Sequence, residues 1–165
     1  HRVAPGAEVG RGETGEEDCG LAVSTTTNGS TLGAPAVRRH ILACYAELTV
    51  SVDGLAAFHD QIRAWPGGFA RLRRSVRALA DERDRAGRGP LLRVNTVLMR
   101  DNLRELPALA LELAGWGIDE ITFNQLGSAD RPAFHRVHRL TPGDAEWLAG
   151  AVPDLRAALR APSCE

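Results

Sequence analysis

Four short runs of β-branched and apolar residues, each followed by a longer stretch with helical periodicity, limit what this chain can fold into more than any other feature. Strands separated by helix-length connections pair in parallel with a crossover between them, and the crossover helices must cover the sheet. The expected fold class is therefore α/β, built from parallel βα units.

The first strand is read at Leu21 to Thr27 and its helix at Pro35 to Tyr45. Proline suits an early helical position, and Val37, Ile41 and Leu42 form an apolar stripe. The second strand is Leu48 to Asp53. A long helix from Phe69 to Ala86 repeats Phe69, Leu72, Val76 and Leu79 at three- and four-residue intervals, with Gly87 placed to end it in a left-handed cap. The third strand, Leu91 to Met99, leads to Asn102 and Glu105 at capping-box spacing. A helix presenting Leu106, Leu109, Ala110 and Leu113 follows, with Pro107 in its first turn. The fourth strand, Glu120 to Leu126, precedes a loop to about Leu140. The last helix then starts at Thr141, Pro142 and Asp144 and runs to Leu159. Four such units cannot close an eight-stranded barrel, so they form either an open sheet or about half to two-thirds of a larger barrel.

Composition excludes several partner classes. Twenty basic against 21 acidic side chains give a net charge of −1, so no global field draws the chain to nucleic acid or to a membrane. No apolar run reaches membrane-spanning length and no signal-peptide core is present, so a cytoplasmic location is expected. All basic residues are arginine, from which no function is drawn. Cys19, Cys44 and Cys164 show no metal-site spacing and are expected as free thiols. Residues 1–19 are rich in Gly and Glu without periodicity and are expected to be loose.

In parallel α/β folds, ligands sit at the carboxyl ends of the strands. The strands here end in Thr25-Thr26-Thr27-Asn28-Gly29, in Ser51-Val52-Asp53-Gly54 and in Asn124-Gln125-Leu126-Gly127, and the third carries Asn95 within LLRVNTVLM. Asn-Gly and Asp-Gly also make ordinary turns, and their recurrence at successive strand ends is what points to a site. Asn95 is an amide in an apolar strand, on the face of Arg93 and Val97, and serves either a structural hydrogen bond or a ligand. Arg63, in His59-Asp60-Gln61-Ile62-Arg63, is either a carboxylate clamp or a solvated side chain on a short helix.

Taken in order, TTNG, SVDG with HDxxR, GGF and RVNTVLMRDN resemble the radical S-adenosylmethionine superfamily over roughly residues 20–127. The likeness is greatest to the branch containing peptide-modifying enzymes and the molybdenum-cofactor cyclase. The resemblance implies a partial (β/α)6 barrel whose [4Fe-4S] cluster reductively cleaves S-adenosylmethionine to a 5′-deoxyadenosyl radical that abstracts hydrogen from a small-molecule or peptide substrate. It implies that Thr26 or Asn28 lines the cavity, Ser51 bonds the ribose, Arg63 meets the methionine carboxylate and Leu126 contacts the adenine. Arg93 then faces the substrate with Asn95, and no residue present is a convincing catalytic acid, base or radical site. On this reading residues 128–165 form a loop and a terminal amphipathic helix.

The family's CxxxCxxC loop has no counterpart, nor does its GGEP motif, beyond Gly12-Glu13-Thr14 as a remnant. Beginning at His1, the chain reads as a truncated portion of such an enzyme, inactive alone, whose cluster ligands lie on a missing N-terminal half or partner subunit. The alternative is a cluster-less module that binds S-adenosylmethionine or another nucleoside without catalysis. A third reading, from acid–base chemistry, uses Asp53, His59 and Asp60.

Overall fold

The computed structural model describes residues 21–127 and 131–160, so the loose segment expected at 1–19 and the cysteines at 19 and 164 lie outside the described residues. Four strands, β1 (Ser24–Thr27), β2 (Glu47–Ser51), β3 (Leu91–Leu98) and β4 (Glu120–Gln125), form one sheet. Every neighbouring pair is parallel, and spatial order follows chain order. An order without reversal has no switch point of the doubly wound kind and corresponds to an arc of a barrel.

The helices α1 (Pro35–Cys44), α3 (Gly68–Ala86) and α4 (Leu106–Ala114) connect successive strands, with the short α2 (Ala56–Ile62) ahead of α3. Their apolar stripes share one core with the sheet: Ile41, Leu72, Val76, Leu79, Leu109 and Leu113 pack against Leu48, Val50, Leu92 and Val94. Alternation leaves the other face polar. In register, Thr49 lies beside Arg93, Ser51 beside Asn95, and Asn95 beside Thr122. A sheet buried on one side and polar on the other fits strands that line the inside of a barrel arc. Cys44 is a free thiol.

The structure moves several expected boundaries. The first strand is shorter than expected because the β1–β2 pairing begins only at Ser24 opposite Glu47. Between β4 and the last helix α6 (Pro142–Arg160), the expected loop contains α5 (Pro132–His138). That helix buries none of its residues, so it leaves no periodic signal in the sequence. The start of α6 is as read: Thr141 N–H donates to Asp144 at 2.9 Å, and Asp144 N–H returns a bond to Thr141 Oγ1 at 3.3 Å.

The capping box expected at α4 does not form. A 3₁₀ turn (Leu103–Glu105) precedes α4, and both would-be capping side chains reach instead to the chain that leaves β2. Asn102 Nδ2 donates to the Asp53 carbonyl at 2.6 Å, and Glu105 Oε2 accepts from Leu55 N–H at 3.0 Å. Among the described residues no helix is long and apolar enough to cross a membrane.

Candidate functional site

The carboxyl ends of β1 and β2 open onto a cavity of about 270 Å³ lined by Asn28, Ser30, His59, Arg63, Ala64 and Trp65. The turn after β1 makes one wall. Ser30 N–H donates to Asn28 Oδ1 and Gly29 N–H to Thr27 Oγ1, each at 3.0 Å. Gly29 sits at φ +74, and a Cβ there would stand 2.1 Å from Leu72 of α3, so the turn admits only glycine.

The opposite wall rises from Asp53, just beyond β2, and from α2. The Asp53 side chain is 7% exposed, and its Oδ2 accepts from Arg63 Nε at 2.6 Å, while the Arg63 side chain stays one-third exposed. Among the described residues nothing accepts from the terminal nitrogens of Arg63. Ala64, next to it, adopts φ 49, a left-handed conformation rare for residues other than glycine and one that gathers at ligand sites.

His59 is buried beneath this wall. The Asp53 N–H donates to its Nδ1 at 3.3 Å, so the neutral ring carries its proton on Nε2. Burial pushes the His59 pKa down, with Arg63 acting in the same direction and Asp53 and Asp60 opposing. His59 Nε2 and Asp53 Oδ1 are both buried without a hydrogen-bond partner among the described residues. Two such orphans on residues joined by one hydrogen bond are uncommon in a closed core, and they mark this wall as unfinished.

Near the amino ends of the strands, where Arg93 lies opposite Glu120 at the start of β4, the arrangement is different. Arg93 donates to Glu120 through Nε at 2.7 Å and to Glu47 through Nη1 at 2.5 Å, and its pKa is pushed up, first by the Glu120 hydrogen bond. Asn95 Oδ1 accepts from Asn124 at 2.8 Å and Thr122 at 3.2 Å, so the structural half of its expected role is present. Ser51 is half-buried at the end of β2, Thr26 is exposed on β1, and the Leu126 N–H extends β4 toward the Leu98 carbonyl at 3.3 Å.

The structure thus brings Asn28 and Arg63 to one cavity. Ser51, Asn95 and Leu126 lie along the strand ends beyond it. Three steps of roughly 4.8 Å separate the outer strands, so the row spans on the order of 14 Å, suited to an elongated ligand. Of the groups in the acid–base reading, Asp60 and one Asp53 oxygen are taken, while Asp53 Oδ1 and His59 Nε2 have no partner among the described residues. Asp60 spends both oxygens on the start of α3, accepting from Gly67 N–H at 2.6 Å and Phe69 N–H at 2.8 Å, and Asp53 Oδ2 is committed to Arg63. No group of three or more metal-binding side chains occurs among the described residues.

Sequence reasoning missed Ser30 and Trp65 as cavity walls and Asn102 as the clamp on Asp53. Ser30 and Trp65 carry no motif of their own. The capping-box spacing at Asn102 is real, but its amide is taken by the Asp53 carbonyl beyond β2 and the Val97 carbonyl of β3.

No family model matches the sequence, and no curated protein matches it. The fold is similar to that in the crystal structure of a domain of pyruvate-formate lyase-activating enzyme from Bacteroides vulgatus ATCC 8482. The TM-score is 0.59, with 84% of this chain and 79% of that chain covered at 11% identity. At that identity the likeness is one of fold, and the fold is four parallel βα units forming part of a barrel.

Proposed function

We propose that the chain is a portion of a radical S-adenosylmethionine enzyme and that its row of strand ends holds S-adenosylmethionine. The carrying observation is Arg63: one edge is fixed by buried Asp53, and its terminal nitrogens have no acceptor among the described residues beside a cavity at the strand ends. An arginine oriented by one acid and open on its other side suits a ligand carboxylate, because the fork is positioned in advance and its remaining N–H groups lack acceptors. The resemblance in sequence motifs and the likeness in fold support the same reading.

In this reading Arg63 binds the methionine carboxylate, and Asn28 and Thr26 border the amino-acid end. Ser51 bonds the ribose and Leu126 packs on the adenine. Arg93 and Asn95 belong to the polar sheet face where a substrate would lie. Bound together, cofactor and [4Fe-4S] cluster supply reductive cleavage of the sulfonium and hydrogen abstraction from substrate. The cysteines of these 165 residues lack the spacing that holds such a cluster, so its ligands are assigned to sequence outside this chain.

That same lack of CxxxCxxC favours, as a second reading, a module that binds the nucleoside without catalysis. Calorimetric titration with S-adenosylhomocysteine tests what both share: saturable binding that weakens in an Arg63→Gln variant is expected, and no binding at millimolar ligand refutes both. The coding sequence upstream of His1 separates them, because CxxxCxxC followed by GGEP there belongs only to the enzyme.

A further inference from the structure

A second cavity, of about 420 Å³, lies on the far side of Trp65 and Ser30, between the turn after β1 and helix α3. Its lining includes Ser30, Arg38, Trp65, Arg71, Arg74 and Ser75. We propose that this cavity binds a small-molecule phosphoryl anion of diphosphate size, held by Arg71 and Arg74 with the hydroxyls of Ser30 and Ser75. The inference stands whatever occupies the adjoining cavity of Arg63.

Charge pairing along α3 carries the proposal. Several other arginines of α3 and α1 are given an acceptor by the fold. Arg73 pairs with Glu112, Arg83 with Asp119, and Arg85 donates to the Asp81 carbonyl. Arg38, buried at the base of the cavity, is neutralised by Glu82 at 2.8 Å and saturated by the carbonyls of Leu32 and Gly33. Arg71 and Arg74 alone among the cavity's cations have no carboxylate within 4 Å among the described residues. Like charges three apart on a helix repel, so the pair costs stability unless an anion joins it.

The cavity is also held in shape. The turn carrying Ser30 is pressed onto α3 through Gly29, whose Cβ would collide with Leu72. A Cβ on Gly68 would stand 2.5 Å from the Trp65 ring, so the ring rests directly on the first turn of α3. A concave site of this volume, with fixed walls, two unneutralised guanidinium groups and two hydroxyls, recognises a compact polyanion.

The test is titration of the 165-residue chain with inorganic pyrophosphate, followed by amide and side-chain NMR. Saturable shifts at Ser30, Ser75 and the Trp65 indole N–H are expected. Arg74→Gln and Arg71→Gln should each weaken binding about tenfold or more, the loss typical of one charged hydrogen-bonding group. Arg77→Gln is the control, because Arg77 lies on the same helix with no acid partner among the described residues and lines only the neighbouring groove, which Arg74 also borders. It should leave the affinity within about threefold, the change expected from diffuse charge alone. No saturable shift at millimolar pyrophosphate overturns the site. An equal loss in Arg77→Gln overturns it too, because attraction would then be to the helix at large. S-adenosylhomocysteine titrated into Arg74→Gln should bind as in the parent chain, so failure here is distinct from failure at Arg63.

Discussion

Two arginines stand at opposite ends of the sheet, Arg63 at the carboxyl ends of the strands and Arg93 near their amino ends, and the company each keeps separates a group available to a ligand from one that is used up. Among the described residues Arg63, beside β1 and β2, has one acid, Asp53, and terminal nitrogens without an acceptor. Arg93, on β3, sits between Glu47 and Glu120, with Nε, Nη1 and Nη2 all engaged. The first is an oriented donor with capacity left. The second closes an ion-pair ladder across three strands, and with two carboxylates on one guanidinium that patch carries a net negative charge. A sequence shows two arginines close to strands, and their place along the sheet and the acids around each decide which can receive an anion.

The largest expected effect tests what holds the Arg63 side in place. Asn102, 3% exposed, accepts from Met99 N–H at 2.8 Å and donates to the Asp53 and Val97 carbonyls at 2.6 and 2.8 Å. Asn102→Ala strands three buried backbone groups and should destabilise the chain by about 3 kcal/mol in urea unfolding. Because one of those groups belongs to Asp53, S-adenosylhomocysteine binding should fall as well. Full stability in the variant would mean that Asp53 is fixed by other contacts.

Next in size is Arg63 itself. Arg63→Gln removes the open guanidinium edge and should weaken S-adenosylhomocysteine about tenfold or more in calorimetry. An unchanged affinity would end the contrast drawn between the two arginines.

Much of this contrast was legible in the chain before any coordinates, and the part that was not has a physical reason. Helix stripes such as Phe69, Leu72, Val76 and Leu79 and the parallel order of strands follow from local periodicity, and all four of those residues are buried. Asn28 and Arg63 were legible because turn and motif spacing place them at strand ends. The saturation of Arg93 was not, because Glu47 and Glu120 lie 46 and 27 residues away in sequence and meet it only through sheet register. Asn102 failed in the same way: its capping-box spacing with Glu105 is genuine, but the Asp53 carbonyl beyond β2 and the Val97 carbonyl of β3 won the amide. Helix α5, with no buried face, left nothing to read.

A smaller effect concerns pH. His59 has a pKa lowered by burial, so the folded chain resists a proton that the unfolded chain accepts near 6.5. Stability is then complete above that value and declines as pH falls toward the folded pKa, with a slope of at most about 1.4 kcal/mol per pH unit for one proton. Urea midpoints should drop between pH 7.5 and 5.5, and His59→Gln should flatten that drop. If the slope persists in the variant, another group carries it.

The smallest expected effect is on ligand binding by Arg93→Gln, and it sharpens the comparison most. If availability rather than charge decides, removing a saturated arginine costs no anion site, and S-adenosylhomocysteine should bind within about twofold of the parent chain at moderate salt, where exposed charges are screened. The cost should appear in the fold instead. Glu47 and Glu120 would lose the cation between them, so the melting temperature should fall. A strong loss of binding without a loss of stability would reverse the assignment, making Arg93 the ligand-facing group and Arg63 the structural one.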